Sequence, residues 1–294
     1  DGAASAQTVA SVQNALAQLD IPVIITPGNH DYCHAGSPYM QEGWPENVHI
    51  FNKAQIESIV LPELNCRIYA AGYEAMDCPG LIKRFSAEGP EAYHIGVFHA
   101  DATTASTYFP ITRRQIQESG LDYVALGHIH KQGSLSVGET LCLWPGCPMG
   151  KGYDEEGQKG VYIVTLEETA SIAFRPLNTP RFYDLQATPA ELAAVLPAVG
   201  SEDYYRITLT GSCEQPDLAA LQAEYARFPN LVLRDRTTRP VDVWGSLGED
   251  SFEGVYFGLL RQALEEADEA EKQEILLAAQ LSRGLLDGQE VVLP

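Results

Sequence analysis

Apolar positions along the chain keep two rhythms, one of three to four residues and one of short unbroken runs. Val9, Val12, Leu16 and Leu19 recur at three- and four-residue spacings, the stripe of a helix that packs on a sheet, and predict a helix over residues 5–19. Ile21-Pro22-Val23-Ile24-Ile25 follows as a short β-branched run, which reads as a buried strand, and Pro27-Gly28 forces a turn at its carboxyl end. The same handover recurs twice. A strand over 93–98 ends at His99-Ala100-Asp101, and a strand over 123–126 ends at Gly127-His128-Ile129-His130.

Between these points, 56–61 and 67–71 read as the arms of a hairpin turning at Pro62-Glu63-Leu64-Asn65. Residues 32–47 form a loop carrying Tyr39 and Trp44, which either shapes access to a neighbouring site or is a surface loop pinned by its own aromatics. A short helix is expected over 112–119, strands over 133–143, 160–167 and 171–177, and a stiff Pro/Gly loop over 144–150. Prolines 176, 180 and 189 mark a domain boundary. Beyond it, a strand over 204–210, a helix over 218–228 and a strand over 231–236 form a small β-α-β unit. The tail over 252–286 is helical, with apolar stripes through Val255, Leu259, Leu260 and Leu264 and then Leu276, Leu277 and Leu281. The pattern is α/β, divided as residues 1–183, 187–240 and 250–288.

Charge and cysteine content narrow the partners. A net charge of −21, spread along the whole chain, opposes unaided binding of nucleic acid, because each contacted phosphate calls for Lys or Arg. It does not oppose a single phosphate in a site. Six cysteines without a C-x-x-C pair read as reduced thiols of a cytoplasmic protein. No run of about 18 apolar residues is present, so no membrane-spanning helix is expected. No signal peptide is visible, and Asp1 reads as mid-domain.

Taken alone, Pro27-Gly28-Asn29-His30-Asp31 is as readily a polar turn as a site. Strand ends in open α/β sheets are where ligands bind, and four of the seven histidines, His30, His99, His128 and His130, fall at such ends. Strand alternation would point His128 and His130 to one side, and Gly127 would let backbone approach. Imidazoles with the amide oxygen of Asn29 suit Mn²⁺, Fe or Zn²⁺ better than Ca²⁺. His34, His49 and His94 lie elsewhere and read as structural or solvent-facing.

The order G-N-H-D at 28–31, an isolated His99 and G-H-x-H at 127–130 resembles the calcineurin-like metallophosphoesterase superfamily. The resemblance implies a four-layer α-β-β-α sandwich with two divalent metal ions, Mn foremost and Fe or Zn as alternatives. It implies that Asn29, His99 and His128 ligate one metal and His130 the other. His30 would lie near the scissile phosphate without ligating metal, stabilising charge or protonating the leaving oxygen. Asp31 beside it, and Asp1 as the second acid of the family's G-D-x-x-D, complete the implied catalytic set. Two such ions clamp a phosphate and generate hydroxide for in-line attack.

Within the superfamily, Phe98-His99-Ala100-Asp101, the 144–150 loop, Lys159-Gly160-Val161-Tyr162 and Arg181-Phe182-Tyr183 look closest to bacterial DNA-repair exonucleases of the SbcD type. That likeness implies a DNA substrate, a small α+β capping domain, C-terminal helices docked on an SbcC-like coiled-coil ATPase, and a possible homodimer. The family's D-x-H and G-D strands are not found in the sequence. The expectation is therefore an amino-terminally truncated sandwich that lacks its first strands and the bridging aspartate, and is inactive as it stands. A small-molecule phosphodiesterase or phosphatase and a metal-free partner-binding scaffold are the competing expectations, the first disfavoured by the extra domain and the second by the simpler explanation of truncation.

Overall fold

The computed structural model describes residues 4–103, 105–167, 170–240 and 242–288. They fall into two compact units divided between Tyr183 and Asp184.

In the first unit, helix α1 (Ala6–Leu16) starts where the Ser5 side chain accepts from the Thr8 N–H, a cap that contributes about 1 kcal/mol. It stops short of the predicted end because the Asn47 amide donates to the carbonyls of Leu16, Leu19 and Ile21, holding the exit of the helix. Strand β1 (Val23–Ile25) pairs in parallel with β2 (Val48–Ile50). The expected burial of this run is not observed, since all three β1 residues are only half-buried and β1 has one strand neighbour among the described residues.

The main sheet has six strands. The hairpin β3 (Glu57–Leu61) and β4 (Cys66–Ala71) turns through a 3-10 segment, Pro62–Leu64, closed by Asn65 at φ 46°. Strand β5 (Tyr93–His99), helix α2 (Arg113–Glu118) and strand β6 (Tyr123–Gly127) follow, α2 opening on a capping box between Thr112 and Gln115. The strand expected over 133–143 is instead a reversal, β7 (Gly133–Ser134) and β8 (Leu141–Trp144). Gly138 at φ 58° and the Val137–Thr140 bridge turn the chain between them. The order is β3-β4-β5-β6-β8-β7, with β4, β5, β6 and β8 parallel.

One face of this sheet meets the core, where Phe98, Val124, Leu126 and Cys142 pack with Tyr73, Phe109, Ile111 and Ile116. On the alternate positions Ile95, Val97, Tyr123 and Ala125 stay half-exposed. Val97, Tyr123 and Ala125 border a space of about 260 Å³ reached also by Thr26, Val161 and Tyr162. A separate antiparallel hairpin, β9 (Gly160–Thr165) and β10 (Ser171–Pro176), completes the unit. The architecture is mixed α/β and consistent with a metallophosphoesterase sandwich.

The second unit holds a sheet of order β11-β12-β13, from β11 (Phe182–Ala187), β12 (Tyr204–Leu209) and β13 (Leu231–Asp235), with helices α3 (Leu192–Val195) and α4 (Leu218–Glu224). The β-α-β pattern thus gains a strand that begins before the expected boundary. The tail is two helices, α5 (Phe252–Glu266) and α6 (Glu269–Leu286). Asp268 divides the helical tail by accepting from Ala270 and Glu271 N–H groups as a new N-cap. Arg283 ties α6 to α5, donating to Glu253 at 2.6 Å and lying over the Phe257 ring. Along α5, Phe252, Val255 and Leu259 are 74%, 61% and 62% exposed, an apolar stripe at helical spacing without cover among the described residues. All six cysteines are free thiols. No described helix is long and apolar enough to cross a membrane.

Candidate metal centre

Local hydrogen bonds set the loop that follows β1. The Pro27 carbonyl accepts from Tyr73 N–H at 3.2 Å, and Cys33 N–H donates to the Tyr73 carbonyl at 2.7 Å, so the loop is strapped to the chain leaving β4. Asp31 accepts from the Gly28 N–H at 2.7 Å through one oxygen and from the Tyr39 hydroxyl through the other. Burial opposes ionisation of Asp31, but the Tyr39 and Gly28 donors outweigh it and hold its carboxyl below the usual range. Tyr39 stacks on Trp44, whose indole N–H donates to the Pro38 carbonyl. Of the two readings of the 32–47 loop, the geometry favours one pinned by its own aromatics.

His99 occupies a slot built from two glycines. A Cβ on Gly28 would sit 2.6 Å from its ring, and a Cβ on Gly127 would sit 2.9 Å from its Nδ1. The Tyr73 hydroxyl donates to the His99 carbonyl at 2.9 Å, and its ring meets the imidazole edge-on. Within this slot the His99 Nε2 lies 2.9 Å from Asn29 Oδ1 and 3.3 Å from His128 Nδ1. Burial, reinforced by His128, lowers the His99 pKa to about 4, so the ring is neutral near neutral pH. Asn29 is itself buried.

His128 reaches this point by a route that alternation does not describe. Strand β6 ends at Gly127, and His128 adopts φ 88°, a region that costs a non-glycine residue on the order of 1–3 kcal/mol and concentrates at functional sites. The inference that both imidazoles project from one strand face is therefore replaced by a left-handed residue that swings Nδ1 toward His99. Its Nε2 lies 3.8 Å from Asp101 Oδ2, and the Tyr108 ring rests against it at 5.0 Å.

Two carboxylates thus address two imidazoles. His130 directs Nδ1 to Glu155 Oε1 at 2.5 Å, leaving Nε2 as its open nitrogen. Glu155 also accepts from the Lys151 N–H at 2.9 Å and from Cys147 Sγ at 3.3 Å. Burial raises the Glu155 pKa, but the His130, Lys151 and Cys147 donors prevail and bring it to about 2. Metal-binding histidines commonly use a carboxylate in this way to fix the tautomer. Glu155 was not singled out by sequence. It is one of three adjacent acids, Asp154, Glu155 and Glu156, and nothing in their order marks the one that turns inward.

A cavity of about 540 Å³ gathers Asn29, His30, Asp31, His99, His128, His130 and Lys151. Every expected site residue except Asp1 lines it, and Asp1 lies outside the described residues. The donor set fits a divalent ion. Ligands held at roughly 2.0–2.2 Å around one ion are spaced about 3 Å from each other, which is the spacing of His99 Nε2 from Asn29 Oδ1 and from His128 Nδ1. For a second ion, His130 is the one further donor of the expected set.

Glu155→Ala will remove the acceptor for the His130 Nδ1 proton and let that proton move to Nε2, the nitrogen needed for ligation. The expected cost is about tenfold in divalent-metal affinity, read by competitive metal titration, with the tautomer change read from the His130 ¹⁵N shifts. Unchanged shifts in the variant would show that Glu155 does not orient the ring.

Comparison with known proteins agrees with this geometry. A model of the family described as calcineurin-like phosphoesterase matches residues 4–132, the stretch that carries Asn29, His30, Asp31, His99, His128 and His130. The uncharacterized metallophosphoesterase YhaO of Bacillus subtilis (strain 168) is 35% identical over 158 residues, covering 51% of this chain and 38% of that protein. The chain thus matches well under half the length of this relative. Both findings support the calcineurin-like metallophosphoesterase superfamily, whose members hydrolyse phosphoesters and generally use divalent metals.

Proposed function

We propose that this chain is the core of a metal-dependent phosphodiesterase that processes DNA ends in repair, of the SbcD type. The observation that carries the reading is that His99 Nε2 lies about one ligand spacing from both Asn29 Oδ1 and His128 Nδ1, with all three residues lining one cavity. These three side chains would hold one divalent ion and His130 would contribute to a second, with Mn²⁺ best suited to mixed imidazole and oxygen donors. When bound, such ions polarise the phosphate and lower the pKa of water. His30, exposed beside buried Asn29, protonates the leaving oxygen. Asp31 keeps the loop closed so that Asn29 and His30 face the cavity together. Gly28 and Gly127 hold the His99 ring in place, and Glu155 holds His130 in one tautomer.

Four donors leave two coordination spheres incomplete. The remaining acids, in D-x-H and G-D strands, come in this reading from residues upstream of the sequence. Support comes from the sheet: β1 has one neighbour among the described residues, and the apolar positions Val97, Tyr123 and Ala125 lie half-covered beside open space. The charge of −21 makes a partner the source of DNA-binding cations, and the exposed stripe Phe252, Val255 and Leu259 is where an SbcC-like coiled-coil ATPase would dock. Residence in the cytoplasm accords with six free thiols.

An upstream-extended chain, loaded with Mn²⁺, is expected to shorten linear duplex DNA and to spare covalently closed circles. Turnover of bis(p-nitrophenyl) phosphate with no action on DNA would favour the small-molecule reading. Metal binding without turnover of either would favour the scaffold.

A further inference from the structure

A second cavity, of about 530 Å³, shares His128 and His130 with the metal centre and is otherwise bounded by Ile129, Lys131, Lys159 and the acidic stretch 154–156. Lys159 is only 9% exposed. Its ammonium has neither a hydrogen bond nor an ion pair among the described residues, yet it is not among the fully enclosed unpaired atoms, so it opens on the cavity. Of the three lysines outside these cavities, Lys53 pairs with Glu57 at 3.1 Å and Lys272 with Glu269 at 2.8 Å, while Lys83 is exposed to solvent. A buried cation left unpaired is costly, and a chain with 40 acidic side chains has no shortage of partners for it.

The local charge is unusual for this protein. Three of its six lysines, Lys131, Lys151 and Lys159, line the two adjoining cavities, and none makes an ion pair among the described residues. Of the acids nearby, Glu155 is committed to His130, Cys147 and the Lys151 N–H, while Asp154 and Glu156 are exposed. The root of Lys159 is fixed as well. Gly160 packs so close to the Arg175 carbonyl that a Cβ would lie 2.3 Å from it, so the ammonium is presented from a locked strand end.

We propose that this second cavity binds an anionic group next to the scissile phosphate, with Lys159 as its principal contact and Lys131 at its mouth. The substrate class is then one with consecutive phosphates, as in an oligonucleotide or a nucleoside polyphosphate, and an isolated phosphodiester would leave Lys159 unpaired. This rests on the phosphoesterase reading of the adjoining centre for its meaning, but not for its detection, because Lys131 and Lys159 do not line the metal centre.

The test is calorimetric titration of the 294-residue chain with pyrophosphate and with 5′-phosphorylated dithymidylate, at low salt and with EDTA present so that no metal contributes. Lys159→Met keeps the aliphatic stem and removes the charge, and Lys159→Arg keeps the charge; circular dichroism checks their fold. Saturable binding to the parent chain should weaken about tenfold or more in Lys159→Met, the loss expected for one charged hydrogen bond, survive in part in Lys159→Arg, and persist in Lys83→Met, which removes an exposed lysine outside both cavities. Dependence on Lys159 in the dinucleotide arm identifies an oligonucleotide, and dependence with pyrophosphate alone identifies a polyphosphate. Equal binding by Lys159→Met, or none by the parent chain, overturns the inference. Loss of Mn²⁺ binding in His99→Ala is read separately and bears on the metal centre alone.

Discussion

Replacing His30 by alanine in the upstream-extended enzyme will lower phosphodiester turnover by about 10²-fold or more while leaving bound Mn²⁺ unchanged. The expectation follows from how differently His30 is held from the other three imidazoles. His99 meets Asn29 and His128 at ligand spacing, and His130 is fixed by Glu155. His30 is exposed, lines the same cavity, and makes no hydrogen bond among the described residues. An imidazole with both nitrogens open to the cavity can carry a proton to a leaving oxygen, and its loss removes proton transfer without removing a ligand. Steady-state turnover and electron paramagnetic resonance of bound Mn²⁺, measured on the same preparation, separate the two effects. Loss of metal in His30→Ala would make it a ligand, and undiminished turnover would remove it from the reaction.

Gly28→Ala is expected to weaken Mn²⁺ binding by about 100-fold, at the upper end of the effect of disturbing a ligand's support, although no ligand is changed. The added methyl would stand 2.6 Å from the His99 ring, and the ring is hemmed in, because it lies so near Gly127 that a Cβ there would stand 2.9 Å from Nδ1 and Tyr73 meets it edge-on. Gly28 has no positive φ, so the backbone tolerates alanine and the cost falls on the position of Nε2. Unaltered affinity with an unaltered circular dichroism spectrum would show that the slot is more compliant than it looks. Weakened binding together with unfolding would be separated from it by thermal melting without metal.

These glycines show where local sequence stops being informative. Gly28 reads as a turn residue and Gly127 as a strand terminator, and both readings are correct, yet the purpose they share is an imidazole about 70 positions from one and 28 from the other. Strand-end loops were legible from hydrophobic runs followed by Pro, Gly and His, because that rhythm is local. The left-handed conformation of His128 was not, since histidine's enrichment at positive φ is too slight to single out one of seven histidines. Glu155 was hidden among three acids, and its selection depends on the distance to His130 rather than on order in the chain. The reversal inside 133–143 turns on Gly138, a small signal beside the apolar residues that suggest one continuous strand. Half-burial of β1 could not be foreseen from its β-branched content, which reports compatibility with a sheet and not the presence of a neighbour on each side.

The central claim is that Asn29, His99 and His128 hold a divalent metal. Titration of the 294-residue chain with Mn²⁺, followed by electron paramagnetic resonance and by modulation from imidazole nitrogen, tests it without requiring turnover. The account predicts saturable binding with nitrogen coupling from two imidazoles, reduced about 100-fold or more in Asn29→Ala, His99→Ala and His128→Ala and retained in His30→Ala and His49→Ala. Binding that persists equally in His99→Ala, or that shows no nitrogen coupling, would contradict it.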